Sequence, residues 1–155
     1  MATPKPGSGP AKSILILNGP NLNMLGVREP SIYGSESLQE LMAAAARRAT
    51  ELGLLTDARQ SNHEGDLVTW IQQARTEHQG IIINPAGLTS TSIALLDSLK
   101  LCDLPAIEVH LSNIHQREEF RHHSFVSKAA RGVICGFGGF GYVMAVEAMA
   151  RFLKD

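Results

Sequence analysis

Residues 106–113 read AIEVHLSN, and this stretch predicts both the fold and the chemistry of the chain. Its apolar residues alternate, so we expect a buried strand with Ile107, Val109 and Leu111 on one face. Glu108 and His110 then share the opposite face, two residues apart, where a carboxylate can orient an imidazole. An isolated Glu-x-His more often has only a structural role, but the neighbouring motifs favour a general acid here.

The polar end of this strand leads into a predicted helix start. Asn113 offers an N-cap oxygen with Gln116 three residues later, and the first amides of a helix attract anions. In a helix over 117–121, Arg117 and Arg121 would project from one face just beyond His110. A solvated face paired with nearby glutamates is the commoner alternative for such arginines.

Length and composition indicate one domain. The chain has 155 residues, of which 44% are hydrophobic and 19% charged, enough for one substantial core. Residues 1–12 are rich in Pro, Gly, Ser and Ala and predict a disordered tail, which leaves residues 13–155 as the domain. The formal net charge is −1 and no basic run exceeds two residues, which argues against nucleic-acid or membrane-surface partners.

The cysteines, the apolar stretches and the histidines predict where the protein is located and whether it binds a metal. Cys102 and Cys135 form no C-x-x-C pair and have apolar neighbours, as expected in a reducing cytoplasm. No stretch approaches the ~18 apolar residues of a membrane span, and no signal peptide is evident, so we expect a soluble protein. His115, His122 and His123 lack companions at metal-ligand spacing, so we expect no metal.

Five apolar segments alternate with helical ones along the chain. The predicted strands cover residues 13–17, 54–59, 81–83, the Glu108 stretch and 132–135. The predicted helices start at the caps Ser37, Asp66 and Thr89 or Ser90, end near residues 52, 77 and 101, and are followed by two more over 117–121 and 142–153. This alternation predicts an α/β fold with a parallel sheet covered on both faces by helices. Ligands bind such sheets outside the carboxyl ends of the strands, so polar residues after strands one, three and four should converge.

The connection over residues 18–34 reads NGPNLNMLGVREPSIYG and is long for a loop between strand and helix. An Ω-loop packed by its own apolar residues is the structural alternative. Arg28, five residues before Tyr33, favours a functional loop. Tyrosine ionises near pH ~10, and an adjacent guanidinium stabilises the phenolate, so this pair is a candidate proton abstractor.

Residues 136–141 read GFGGFG and match the G-x-G-x-x-G pattern of dinucleotide sites. The motif lies in the last strand–helix unit, and too few residues follow to supply the ribose-binding acid about twenty residues on. Close packing of a helix is therefore the better interpretation. The sequence also lacks G-x-S-x-G and a Walker glycine-lysine loop, which weakens hydrolase and nucleotidase interpretations.

Four motifs together resemble one enzyme family. They read NGPNLNxLGxREPxxYG from residue 18, NPAG from residue 84, EVHLSNIHxREEFRHHS from residue 108 and GVICGFGxxGY from residue 132. These are similar to type II 3-dehydroquinate dehydratase. The resemblance implies a flavodoxin-like fold, no cofactor and a dodecamer built from trimers. It also implies elimination of water from 3-dehydroquinate through an enolate, giving 3-dehydroshikimate in the shikimate or quinate pathway.

The resemblance also implies a role for each matching residue. Tyr33 would remove the proton next to the substrate ketone while Arg28 lowers its pKa, and His110, oriented by Glu108, would protonate the departing hydroxyl. Asn21 would position a water near the enolate oxygen. The residues that would bind substrate are Asn84 and the backbone amides of Leu111 and Ser112 at the carboxylate, Arg121 at ring hydroxyls with Arg117 in support, and Asp97 from a neighbouring subunit.

The segment over residues 88–92 departs from the family pattern. It reads LTSTS where the family usually has YTHTS, so Ser90 replaces a histidine that contacts a substrate hydroxyl. Two other functions stay open at this point. One is a flavodoxin-like domain that binds a nucleotide or flavin, which would have no use for Tyr33 with Arg28. The other is an assembly protein whose site has decayed.

Overall fold

Five parallel strands form a single sheet in the order β2-β1-β3-β4-β5 in the residues that the computed structural model describes. The strands are β1 Lys12–Asn18, β2 Leu54–Gln60, β3 Gly80–Asn84, β4 Ala106–His110 and β5 Gly132–Cys135. The structure describes residues 9–27, 31 and 35–154, and Arg28 and Tyr33 lie outside these ranges. The predicted parallel sheet is confirmed, and β2 lies at its edge.

Four α-helices cover the sheet in the described part of the chain: α1 Leu38–Glu51, α2 Glu64–Glu77, α3 Ile93–Cys102 and α4 Phe140–Phe152. Alternate strand residues supply two cores. Ile14 and Ile82 pack with α1 and α4 on one face, whereas Leu15 and Ile81 pack with α2 and α3 on the other. Helices therefore lie on both faces, as the alternation of apolar segments predicts.

Of the first three helix starts that the sequence predicts, the structure confirms one and corrects two. The Ser37 hydroxyl accepts a hydrogen bond from the Glu40 amide at 3.2 Å, so the predicted start of α1, with Ser37 as its N-cap, is confirmed. The prediction that Asp66 caps α2 is wrong, because Ser61 holds its carboxylate at 2.6 Å and α2 begins two residues earlier. The start of α3 was also misplaced. Residues Ala86–Ser90 form a 3₁₀ turn, and Ser92 caps α3 through the Leu95 amide at 3.0 Å.

The predicted α-helix over residues 117–121 is wrong. The chain instead forms the short 3₁₀ turns Ile114–Gln116 and Glu119–Arg121, with Arg117 extended between them. A third 3₁₀ turn follows at Val126–Lys128. Nε2 of the His122 ring lies 2.8 Å from the Arg117 carbonyl oxygen. In a continuous helix, that oxygen would instead accept a hydrogen bond from a backbone amide of the helix. Local side-chain bonds thus replace the helical ones.

The glycine-rich turn before α4 allows close packing, in agreement with its interpretation from the sequence. A Cβ atom at Gly139 would clash with the Leu41 side chain of α1, and one at Gly141 would lie 3.3 Å from Val109 on β4. Gly136 and Gly138 have φ values of +93° and +58°, which favour glycine. None of the helices in the described ranges is long and apolar enough to cross a bilayer.

Candidate active site

A cavity of about 150 Å³ opens at the carboxyl ends of β1, β3 and β4. The loops that follow these three strands form its walls, because parallel strands end at the same edge of the sheet. Of the predicted site residues, those that line it are Asn21, Asn84, Ser90, His110, Leu111, Ser112, Arg117 and Arg121. The expected convergence of polar residues from strands one, three and four is thus present.

The predicted acid pair meets the cavity through His110, which lines it, whereas Glu108 does not. His110 ends β4, and its Nε2 lies 2.7 Å from Oε2 of Glu108, which is completely buried. The alternation of β4 places both side chains on the α2/α3 face, as predicted. Because Nε2 faces the carboxylate, Nδ1 is the ring nitrogen left to exchange a proton in the cavity.

Two serines that the sequence reasoning missed complete the surroundings of Glu108. The Ser124 hydroxyl donates to Oε1 at 2.8 Å, and the Ser127 hydroxyl lies 3.0 Å from Oε1 and 3.1 Å from Oε2. Both serines belong to an irregular segment between β4 and β5. Such a segment has no hydrophobic periodicity, and only Ser124, the last residue of the third family motif, carried any signal in the sequence.

A buried polar chain holds Asn84 at the opposite wall. Burial raises the pKa of Tyr142 far above its usual range, so its hydroxyl stays protonated and donates to Asn18 Oδ1 at 2.6 Å. The same hydroxyl accepts from Asn84 Nδ2 at 3.0 Å, while Asn84 Oδ1 accepts from the Ala86 amide at 3.1 Å. These contacts fix the amide orientation of Asn84. The sequence reasoning did not single out Tyr142.

The two arginines reach the cavity without sharing a helix. Arg121 Nε donates to Glu118 Oε2 at 2.7 Å, and Arg117 Nε lies 3.9 Å from the same oxygen. A backbone hydrogen bond within Glu118 and the Arg121 guanidinium hold the pKa of its carboxyl below the usual range. The arginines therefore border the cavity, as the functional interpretation predicts. They also have a glutamate partner, as the alternative interpretation predicts.

The loop after β1 is partly packed by its own apolar side chains. Leu22 and Leu25 are buried, but Met24 is 46% exposed, and all three border the cavity. Asn21 adopts a φ of +71°, a left-handed conformation that asparagine tolerates better than most residues. The backbone amide of Asn21 donates a hydrogen bond to Asn62 Oδ1 at 2.9 Å. The loop thus combines Ω-loop packing with a polar lining.

Not every predicted residue lies at this cavity. Asp97 is exposed on α3 and does not line it. The predicted base Tyr33 and its partner Arg28 fall outside the described residues. Over the ranges that the structure describes, no three His, Cys, Asp or Glu side chains are grouped to hold a metal ion.

The fold and the cavity place the protein among α/β enzymes of flavodoxin-like architecture with a polar site at the strand ends. Residues 12–150 match the family described as Dehydroquinase class II. The chain belongs to this family.

Curated relatives and solved structures agree with that assignment. The chain is 60% identical over 142 residues to the 3-dehydroquinate dehydratase of Streptomyces avermitilis, covering 91% of this chain and 89% of the relative. It is 52% identical over 144 residues to that of Brucella canis, covering 93% and 92%. The type II dehydroquinase structure from Propionibacterium acnes superimposes with a TM-score of 0.88 at 45% identity, covering 93% of this chain and 99% of the other.

Proposed function

We propose that the protein is a hydro-lyase that removes water from 3-dehydroquinate to form 3-dehydroshikimate, through an enolate and without a cofactor. The reaction belongs to the shikimate pathway. The observation that carries the proposal is the Glu108–His110 pair in a cavity that also presents Asn84 and Arg121. Membership of the class II dehydroquinase family supports the substrate.

His110 is the acid of the elimination. Glu108 stabilises the protonated ring through Nε2, and the ring transfers its Nδ1 proton to the departing hydroxyl, which leaves as water. Tyr33, ionised beside Arg28, first removes the proton next to the ketone and leaves the electron pair as the enolate. The roles of Tyr33 and Arg28 rest on the family motif.

The other polar groups of the cavity bind the substrate. Asn84 and the amides of Leu111 and Ser112 hold the carboxylate, in keeping with their common position at the ends of β3 and β4. Arg121, supported by Arg117, binds ring hydroxyls. Asn21 holds a water near the enolate oxygen, and Ser90 contacts a ring hydroxyl through water.

The assembly is a homo-oligomer, a dodecamer built from trimers, with Asp97 reaching the cavity of a neighbouring subunit. One face of α3 supports this proposal, because Ile93 and Leu101 are 55% and 64% exposed and flank Asp97 at four-residue spacing. A cytoplasmic location fits the two unpaired cysteines, Cys102 and Cys135. β1 begins at Lys12, so the catalytic domain spans residues 12–155, one residue more than the sequence predicts, and residues 1–11 form a tail.

The proposal is tested by incubating the purified protein with 3-dehydroquinate and following the ultraviolet absorbance of the conjugated enone product. Absence of the enone would refute it. Exchange of the substrate α-proton with deuterated solvent separates the two roles, because enolate formation needs the base alone. We expect exchange to persist in His110→Ala and to vanish in Tyr33→Phe, and the opposite pattern would mean that the roles are reversed.

A further inference from the structure

We propose that Ser124 and Ser127 are positioning residues of the acid, because their hydroxyls hold the Glu108 carboxylate fixed beneath His110. The inference rests on the proposed function of His110. The four short contacts at the carboxylate support it: three from the serine hydroxyls and one from the His110 ring at 2.7 Å. We call this arrangement of Ser124 and Ser127 around Glu108 the serine cradle.

Because Glu108 is completely buried, its carboxylate needs hydrogen-bond donors from the protein. Glu108 is 0% exposed and lies in register between Ile83 and Val133 on the neighbouring strands, which offer only apolar side chains. In the described part of the chain, no lysine or arginine forms an ion pair with it. A buried carboxylate without donors takes up a proton, whereas hydrogen bonds to its charged form favour ionisation. The serine hydroxyls therefore provide the hydrogen bonds that water would provide to an exposed carboxylate.

The hydrogen bonds of the serine cradle also have a defined direction. The Ser127 amide donates to the Ser124 hydroxyl oxygen at 3.1 Å, so the Ser124 proton is left to point at Glu108. Ser127 bridges both carboxylate oxygens and so restrains rotation of the group. As a result Oε2 is presented to His110 in one orientation.

The rest of the structure holds this segment in place. Val126, between the two serines, is completely buried in the α2/α3 core. The Phe125 amide donates to the Thr89 carbonyl at 2.9 Å, which ties the segment to the loop that carries Ser90. The cradle thus connects the acid pair to a substrate-contacting loop.

The charge of His110 depends on this arrangement. Arg117 and Arg121 border the same cavity, and their positive charges disfavour a further positive charge there. Glu118 contacts both arginines, and Glu108 is the carboxylate that contacts the His110 ring itself. If Glu108 lost this orientation, a protonated His110 ring would lose its carboxylate partner, and less acid would be available.

The experiment compares Ser124→Ala, Ser127→Ala and the double variant with the wild-type protein. We expect kcat at neutral pH to fall about tenfold in each single variant and further in the double, with KM within about twofold, because the substrate contacts remain. The alkaline limb of the pH–rate profile, which reports the acid, should move to lower pH. Exchange of the α-proton should stay near the wild-type rate.

Two matched variants distinguish positioning from a general structural effect. Ser124→Thr keeps the hydroxyl and should retain activity within about threefold. Ser98→Ala removes another buried serine hydroxyl, bonded at 2.8 Å to the Ala94 carbonyl within α3, and should leave both kcat and the pH profile unchanged. An unshifted pH profile in the alanine variants, or equal loss of exchange and elimination, would overturn the proposal.

A readout without substrate keeps the inference separate from the proposed function. Nuclear magnetic resonance of labelled histidine should show a smaller protonated fraction of His110 at neutral pH in either single alanine variant than in the wild type. If the wild type produces no enone, the proposed function fails while this comparison still tests the cradle. Equal protonation of His110 in the wild type and both single variants would refute it.

Discussion

Removing the Tyr142 hydroxyl tests how the buried polar chain supports Asn84. Tyr142→Phe keeps the ring, which is completely buried in the core beneath α4, and deletes one oxygen. That oxygen donates to Asn18 and accepts from Asn84. The variant therefore leaves one acceptor and one donor without their partner.

The magnitude follows from the burial of these two groups. Asn18 is 0% and Asn84 3% exposed, so solvent reaches neither freely. A buried polar group that loses its partner costs about 1–3 kcal/mol. Asn84 borders the cavity and can recover part of its bond from water, so we expect a total loss of about 2–4 kcal/mol of unfolding free energy. For a chain of this size that corresponds to a fall in Tm of roughly 5–15 °C.

The kinetic effect should appear mainly in KM. Asn84 keeps the bond from the Ala86 amide but loses the one that orients its Nδ2, so it holds the substrate carboxylate less well. We expect KM to rise roughly three- to tenfold with kcat little changed, because binding of substrate and transition state weakens together. Urea denaturation at fixed protein concentration and steady-state kinetics measure the two effects.

A double-mutant cycle supplies the control. Asn18→Leu removes the acceptor of the same hydroxyl at similar volume, so the double variant should lose at least about 1 kcal/mol less than the sum of the single losses. A loss below about 1 kcal/mol in Tyr142→Phe, with unchanged KM, would refute the account of the buried chain.

Two further predictions concern the substrate loop and an acidic group at the sheet edge. Ser90→His should lower KM several-fold with little change in kcat, because the longer side chain replaces a water-mediated contact by a direct one, and loss of activity in a folded variant would mean that the loop accepts a different ligand. At the edge strand, the guanidinium of Arg59 bonds Asp57 at 2.7 Å, and it holds the pKa of that carboxyl below the usual range, with a further contribution from His78. A carboxyl whose pKa is lowered by folding contributes stability at neutral pH that is lost as the pH falls through the folded pKa. Asp57→Asn should therefore make the unfolding free energy fall less between pH 7 and pH 3, and an unchanged fall in urea titrations would contradict this.

Local pattern was sufficient for the sheet and for the acid pair. Alternation in β4 placed Glu108 and His110 on one face, and a side chain two residues away along a strand is close in any fold that contains the strand. The N-cap at Ser37 was equally local, since its hydroxyl bonds an amide three residues later. These predictions succeeded because the groups involved are neighbours in the chain.

Tertiary structure alone decided what surrounds the pair. Ser124 and Ser127 reach Glu108 from 16 and 19 residues away, and Tyr142 bonds Asn18 across 124 residues, from segments whose own sequence predicts no partner. The helix expected over residues 117–121 failed for a related reason. The His122 ring occupies the Arg117 carbonyl that the helix would have used, and the Phe125 bond to Thr89 holds the next segment against another loop. Such bonds depend on which distant groups the packed sheet brings together, and no periodicity in the sequence records them.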